Sequence, residues 1–247
     1  MPRRPGIRIA VSAMLTGVGV LVAACGQSVS GTPIPQADGA AACPTMVLFV
    51  LDVSLSMEAT DVAPSRWTVA RRAATDFAYR QPARTTLGLV TFAGTASVQV
   101  LPTTDRGAFT DALDNAALAE RTATGEGIFS ALSAIDTAKK LAPATGPQRI
   151  VLLSDGKQTL PADLDAPRGA YTAARAAKAA GVTVSTISLG TASGVVDIPD
   201  SAGAARVPVP TDPDSLRAIA ALADGEFHSA ASLPELDAVL TGLTCHS

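Results

Sequence analysis

The chain reads as an α/β protein, with a mostly parallel six-stranded sheet covered by helices on both faces. Three features of the sequence predict this. From Met46 onward, apolar, β-branched runs of strand length alternate with stretches in which apolar residues recur at helical spacing. Such alternation is what crossover helices between parallel strands produce, and it implies a sheet buried on both sides. One strand-like run, Val98–Leu101, follows its predecessor across a short turn at Gly94, which fits an antiparallel hairpin partner at an edge.

The elements follow in order. Val47–Leu51 is the first strand. Arg66 to Arg80 is a helix in which Trp67, Ala70, Ala74, Phe77 and Ala78 form one face, and Trp67 is read as a core anchor. Leu87–Phe92 is the second strand and Val98–Leu101 the third. Asp105 caps a helix reaching about Ala116, and a further helix runs from Gly127 to Leu141 until Pro143 and Pro147 end it. Arg149–Ser154 is a strand, Arg168–Ala180 a helix stopped by Gly181, and Val182–Leu189 a strand. Asp212-Pro213-Asp214-Ser215 starts a helix to Ala223, with an acid at the cap and proline in the first turn. Glu226–Ser229 is a short strand and Leu233–Leu243 the last helix.

The amino terminus is a targeting segment and is set apart from the fold. Arg3, Arg4 and Arg8 precede an apolar stretch, Ile9 to Ala24, that is short for a spanning helix of about 20 residues. It ends in Val22-Ala23-Ala24-Cys25-Gly26, which resembles a bacterial lipobox, so residues 1–24 are expected to be a lipoprotein signal and Cys25 the lipidated residue. Residues 25–44 then form a Ser-, Gly-, Pro- and Ala-rich tether, and residues 45–247 the folded domain. That arrangement places the domain on the extracytoplasmic face of the cell membrane, held by lipid. Cys43 and Cys245 flank the domain and are expected to pair, closing a loop whose entropic contribution is roughly 5 kcal/mol. A net charge of −3 argues against nucleic acid as a partner.

The chemistry concentrates in three loops. Asp52-Val53-Ser54-Leu55-Ser56 follows the first strand directly, so one carboxylate and two hydroxyls leave a strand end together. Thr122-Ala123-Thr124-Gly125-Glu126 and Leu152-Leu153-Ser154-Asp155-Gly156 add hydroxyls and a second carboxylate at another helix start and strand end. Hard divalent cations take oxygen ligands of this kind. In doubly wound sheets, ligands sit beyond the carboxyl ends of the strands, where Asp52 and Asp155 fall. Thr124 is the expected threonine of the site, with Thr122 as its rival. Glu58, Asp61 and Glu126 read as solvated loop or helix-start charges.

Together these three loops resemble the metal-ion-dependent adhesion site (MIDAS) of the von Willebrand factor type A (VWA) domain, and the resemblance extends over Met46 to Leu243. Within that family the chain is similar to the bacterial aerotolerance and calcium-activated-channel-like branch, on Ser56 to Arg66, Leu101 to Arg106, and Val207-Pro208-Val209-Pro210. The resemblance implies a doubly wound, Rossmann-like sheet with one antiparallel edge strand. It implies a metal site at Asp52, Ser54, Ser56, Thr124 and Asp155, with the two carboxylates acting partly through water. Mg²⁺ is the expected ion, with Mn²⁺ or Ca²⁺ as substitutes. A partner protein would complete the site with an Asp or Glu.

Other functions fit less well. Asp52 could be a phosphatase nucleophile, but haloacid dehalogenase-type phosphatases carry a second Asp where this chain has Ser54. His228 and His246 stand alone, so neither reads as a catalytic base or a zinc ligand. No enzymatic activity is therefore expected. An envelope scaffold with a structural or vestigial metal site is the main alternative.

Overall fold

The computed structural model describes residues 43–143, 146–200 and 203–244. The strands are β1 (Met46–Asp52), β2 (Thr86–Phe92), β3 (Ala96–Thr103), β4 (Gln148–Ser154), β5 (Val182–Leu189), β6 (Val195–Asp200), β7 (Gly203–Pro208) and β8 (Phe227–Ala230). The helices are α1 (Arg66–Arg80), α2 (Arg106–Asp114), α3 (Thr124–Leu141), α4 (Ala170–Ala179), α5 (Pro213–Leu222) and α6 (Leu233–Gly242). Six strands form one sheet in the order β3-β2-β1-β4-β5-β8. Every pairing in it is parallel except β2 with β3. This is the expected architecture.

All seven residues of β1 are buried because the strand lies mid-sheet with helices above and below. Its side chains alternate strictly. Val47, Phe49 and Leu51 pack with residues of α1, α2 and α6, whereas Met46, Leu48 and Val50 pack with α3, α4 and α5. A run that is apolar on both faces is what a central parallel strand requires, since neither face meets water. Strand order reverses between β1 and β4, which opens a crevice at their carboxyl ends.

Helix starts follow capping chemistry. The side chains of Ser65, Asp105, Asp212 and Ser232 accept backbone N–H bonds at the starts of α1, α2, α5 and α6. Three expectations change. Helix α3 begins at Thr124 rather than Gly127. Trp67 is only half-buried, packed on the rim of the cluster that Val69, Ala73 and Phe77 fill. The segment between β5 and α5, which shows no element in the sequence, forms the antiparallel hairpin β6–β7. Its prolines and charged residues mask the strand period, and it pairs only with itself, outside the main sheet.

Both ends of the described chain lie at the amino edge of the sheet. There the Thr45 N–H donates to the Pro147 carbonyl at 2.9 Å, and Gln81 Nε2 donates to Thr244 Oγ1 at 3.3 Å. Arg149 Nη1 donates to the Leu243 carbonyl at 3.3 Å. Cys25 and Cys245 lie outside the described residues, as do the signal and most of the tether. Among the described residues, no helix is long and apolar enough to cross a membrane.

Candidate metal centre

The loop after β1 is held in place by its neighbours. The Val53 N–H donates to the Phe92 carbonyl at 2.8 Å, and the Leu55 N–H to the Ala119 carbonyl at 3.0 Å. The chain then closes into a single 3₁₀ turn, Leu55–Glu58. Ser54 and Ser56 end with their hydroxyl oxygens 2.8 Å apart. Asp52 lies beneath them, fully buried. One of its carboxylate oxygens accepts the Ser54 N–H at 2.8 Å, and the other accepts the Ser154 hydroxyl. Ser154 Oγ in turn accepts the Gly156 N–H at 2.9 Å. Ser154 thus ties the two strand-end loops together, a role that its position in Leu153-Ser154-Asp155 left unseen.

Asp155 follows β4 and is 2% exposed. The turn after it depends on Gly156, whose φ of +99° lies in the left-handed region and whose would-be Cβ meets the Asp212 carbonyl oxygen at 2.5 Å. Burial pushes the Asp52 carboxyl up to about 7, and the negative charge of Asp155 adds to this. The bonds from Ser154 and Ser54 pull the other way. Asp155 is also raised by burial, while the Ser56 hydroxyl and Arg66 oppose the shift.

Arg66 is the largest feature that the sequence did not disclose. It opens α1, a position that looks solvated, yet the side chain is 0% exposed. Its Nε and Nη2 donate to the two oxygens of Asp61, each at 2.8 Å. Its Nη1 donates to Asp155 Oδ2 at 3.1 Å, and Nη2 also reaches the Val209 carbonyl at 2.9 Å. Asp61 was expected to be a solvated charge. Instead its side chain is 9% exposed and accepts from the Thr191 N–H at 2.7 Å and the Thr191 hydroxyl at 2.8 Å. Although desolvation opposes it, Asp61 is held below its ordinary value by Arg66 and Thr191 together. Gly190, at φ +125°, leaves room for the guanidinium, since a Cβ there would lie 2.4 Å from Arg66 Nε. Of the remaining charges singled out in the sequence, Glu58 is exposed as expected, and Glu126 pairs with Arg168.

The threonine loop sets the two candidate threonines in different surroundings. Thr122 is braced against the Asp155 loop: its N–H donates to Thr159 Oγ1 at 2.9 Å, and its carbonyl accepts the Thr159 N–H at 2.8 Å. The preceding Arg121 sits at φ +71°, uncommon for a non-glycine residue and of the kind found at functional sites. A cavity of about 360 Å³ opens here, and its lining includes Ser54, Ser56, Thr122 and Asp155. Thr124 is absent from that lining: it lies in the first turn of α3, 0% exposed, and its hydroxyl has no hydrogen-bond partner. Because α3 starts three residues earlier than its apolar period suggests, Thr124 belongs to the helix and Thr122 to the loop.

The donor set fits a small hard cation. Hydroxyl and carboxylate oxygens converge on one cavity. Asp61 and Asp155 share one buried guanidinium, Arg66, while the buried Asp52 is met by a backbone N–H and a hydroxyl. With all three carboxylates ionised, the imbalance is two negative charges, which one divalent ion would carry. No group of three or more His, Cys, Asp or Glu that could hold a metal occurs among the described residues, so a cation here would depend on the neutral hydroxyls.

Fold and site together define a von Willebrand factor type A domain. The family model of that domain matches residues 47–158. A UPF0353 protein of Nocardia farcinica is 50% identical over 248 residues, covering 96% of this chain and 72% of that protein. The chain belongs to the UPF0353 protein family. A UPF0353 protein of Mycobacterium tuberculosis is 50% identical over 201 residues, covering 80% of this chain and 59% of its own length; this chain thus spans less than two thirds of that relative. In fold, the chain is similar to the conserved hypothetical protein BatB of Bacteroides thetaiotaomicron, with a TM-score of 0.66 and 24% identity over 79% of this chain and 95% of that one. It is also similar in fold to proximal thread matrix protein 1 of the mussel byssus, solved with a zinc-occupied MIDAS motif, with a TM-score of 0.57 and 18% identity over 82% of this chain and 45% of that one.

Proposed function

We propose that this VWA domain is a lipid-anchored, extracytoplasmic binding module that holds a divalent cation and recruits a protein through a carboxylate. VWA domains commonly mediate protein–protein interaction. The observation that carries the finer reading is the cavity lined by Ser54, Ser56, Thr122 and Asp155 over a buried excess of negative charge. The two serines, Thr122 and Asp155 would hold the ion. Asp52, with both oxygens already accepting bonds, would act from beneath it. Thr122 takes the place first expected of Thr124. Neutral hydroxyl ligands leave a bound cation electron-poor, so that it would supply an acceptor position for a partner's Asp or Glu. Mg²⁺ is the expected ion, with Mn²⁺ or Ca²⁺ as substitutes; the zinc in the byssus protein makes Zn²⁺ worth including.

The site and the first described residues lie at opposite edges of the sheet. The described chain begins at the amino edge of the sheet and the cavity opens at the carboxyl edge. The last described residue, Thr244, lies at the same amino edge, which suits a bond between Cys43 and Cys245.

Calorimetry of the full chain in detergent micelles, titrated with Mg²⁺ and Mn²⁺, tests the cation. Saturable binding that Ser54→Ala weakens is expected; no heat at millimolar metal refutes the reading. Capture of a membrane protein in Mg²⁺ and its release by EDTA is the matching result for recruitment. Capture unaffected by EDTA would instead mean a scaffold whose metal site is structural.

A further inference from the structure

The cavity lining is polar in part and apolar in part. Besides Ser54, Ser56, Thr122 and Asp155 it includes an apolar wall, made by Leu55 together with Val196, Val207, Pro208, Val209 and Pro210 of the β6–β7 hairpin and the residues that follow it. Val207, Pro208 and Pro210 are exposed, so the hairpin spends apolar surface facing this space rather than in a core. Exposed apolar surface beside a polar site is a mark of recognition. The rim carries two exposed cationic side chains, Arg121 and Lys157, against one acid, Glu120. The charge around the opening therefore suits an anionic visitor.

The wall is also built to keep its shape. Pro208 and Pro210 fix their own φ and offer no N–H, so this strip cannot extend a sheet with an incoming strand and must recognise side chains. The Val209 N–H donates to the Gly194 carbonyl at 2.8 Å, and the Val209 carbonyl accepts from Arg66 Nη2 at 2.9 Å. The Thr211 N–H donates to the Thr191 carbonyl at 3.2 Å. Arg66 thus fastens the apolar wall and Asp155 to one guanidinium. A preorganised wall loses little entropy on binding. At about 360 Å³, the space lies at the low end of the roughly 300–1,000 Å³ range of small-ligand sites. That is room for a short stretch of side chains and not for a helix.

We propose that this cavity selects a protein segment in which the Asp or Glu that reaches the hydroxyls is immediately flanked by an aliphatic side chain, and that the β6–β7 hairpin reads that neighbour. The selection rests on the cation reading above and adds to it a class of partner sequence. The acid provides the charge-dependent contact, and the aliphatic neighbour is buried against Val207 and the two prolines.

Fluorescence anisotropy of the full chain in micelles with saturating Mg²⁺ tests it, using fluorescein-labelled, C-terminally amidated hexapeptides. The peptides carry one Asp flanked by Leu on its amino side, by Leu on its carboxyl side, or by Ser on both sides. A fourth peptide has Asn in place of Asp beside Leu. A fifth has a free C-terminal carboxylate beside Leu and no Asp. Burial of one Leu predicts binding roughly tenfold to a hundredfold tighter for a Leu-flanked Asp than for the Ser-flanked one. The Asn peptide should not bind, and Val207→Ser should shrink the preference to about twofold while Mg²⁺ still titrates by calorimetry. Equal affinity of Leu- and Ser-flanked peptides, or no peptide binding while Mg²⁺ titrates, overturns the selection and leaves the cation reading standing. Tighter binding of the terminal carboxylate than of any Asp also overturns it. A flat Mg²⁺ titration removes the cation reading and this inference with it.

Discussion

The two edges of the parallel sheet bury polar groups to opposite ends. At the amino edge, Arg106 donates to the carbonyls of Pro82 and Thr85 at 3.0 and 2.7 Å, and Gln81 bonds Thr244 at 3.3 Å. Both of these donors meet neutral acceptors. At the carboxyl edge, two carboxylates are buried, with the charge of Asp155 raising Asp52, a guanidinium is fully enclosed, and the backbone of Arg121 is left-handed. The amino edge is satisfied within the chain, whereas the carboxyl edge retains negative charge that the chain alone does not neutralise. Stability is therefore concentrated at one edge and binding capacity at the other, as expected where strand order reverses.

The sharpest test of that contrast is a matched pair of substitutions. Arg66→Met strips both Asp61 and Asp155 of their counter-ion and should lower unfolding stability by about 3–5 kcal/mol. Arg106→Met removes bonds to carbonyls only and should cost about 1–3 kcal/mol. Urea unfolding measures both, and equal losses would break the comparison.

Asp52→Asn should weaken Mg²⁺ binding by about a hundredfold in calorimetry. The same change should stabilise the metal-free protein near pH 8 and leave it unaltered near pH 4. The sign follows from the raised carboxyl. The folded state holds a proton that the unfolded chain releases near 3.8, so the stability linked to that proton is complete below 3.8 and is lost as pH rises through about 7. An Asn has nothing to lose over that window. A thermal melt of the variant that tracks the wild type at both pH values would remove Asp52 from the charge imbalance.

The same proton competes with metal. Lowering pH from about 8 to about 6 should weaken Mg²⁺ binding roughly tenfold, since Asp52 changes from mostly ionised to mostly neutral. Affinity that does not vary with pH would mean Asp52 does not face the ion. The finest distinction lies within one loop: Thr122→Val should reduce Mg²⁺ affinity by about tenfold and Thr124→Val by less than about twofold. The reverse order would restore Thr124 as the ligand.

Much of the fold was legible in the residues. Val47–Leu51 and Leu87–Phe92 read as buried strands because a run apolar on both faces has few other uses, and Ser65 and Asp212 announced their helices by cap chemistry. The β6–β7 hairpin was not legible, because Pro199 and Pro208 interrupt its period and it pairs with no strand of the main sheet. At the site, Ser54, Ser56 and Asp155 were visible as oxygen-rich strand ends, and the structure lines one cavity with all three. Thr122 was seen only as a rival, since apolar spacing placed the start of α3 at Gly127.

By itself, the sequence determined the alternation of strands and helices and the presence of oxygen donors at two strand ends, because hydrophobic period and turn chemistry are local properties. Tertiary structure decided which threonine faces the cavity, and that the Arg66 side chain is enclosed between Asp61 and Asp155. It also decided that a proline-rich hairpin walls the opening. Each of these depends on segments brought together across the fold: Arg66 lies 89 residues from Asp155 and 143 from Val209. Charge pairing at such separations leaves no periodic trace in the chain, and only the closed sheet brings the partners into contact.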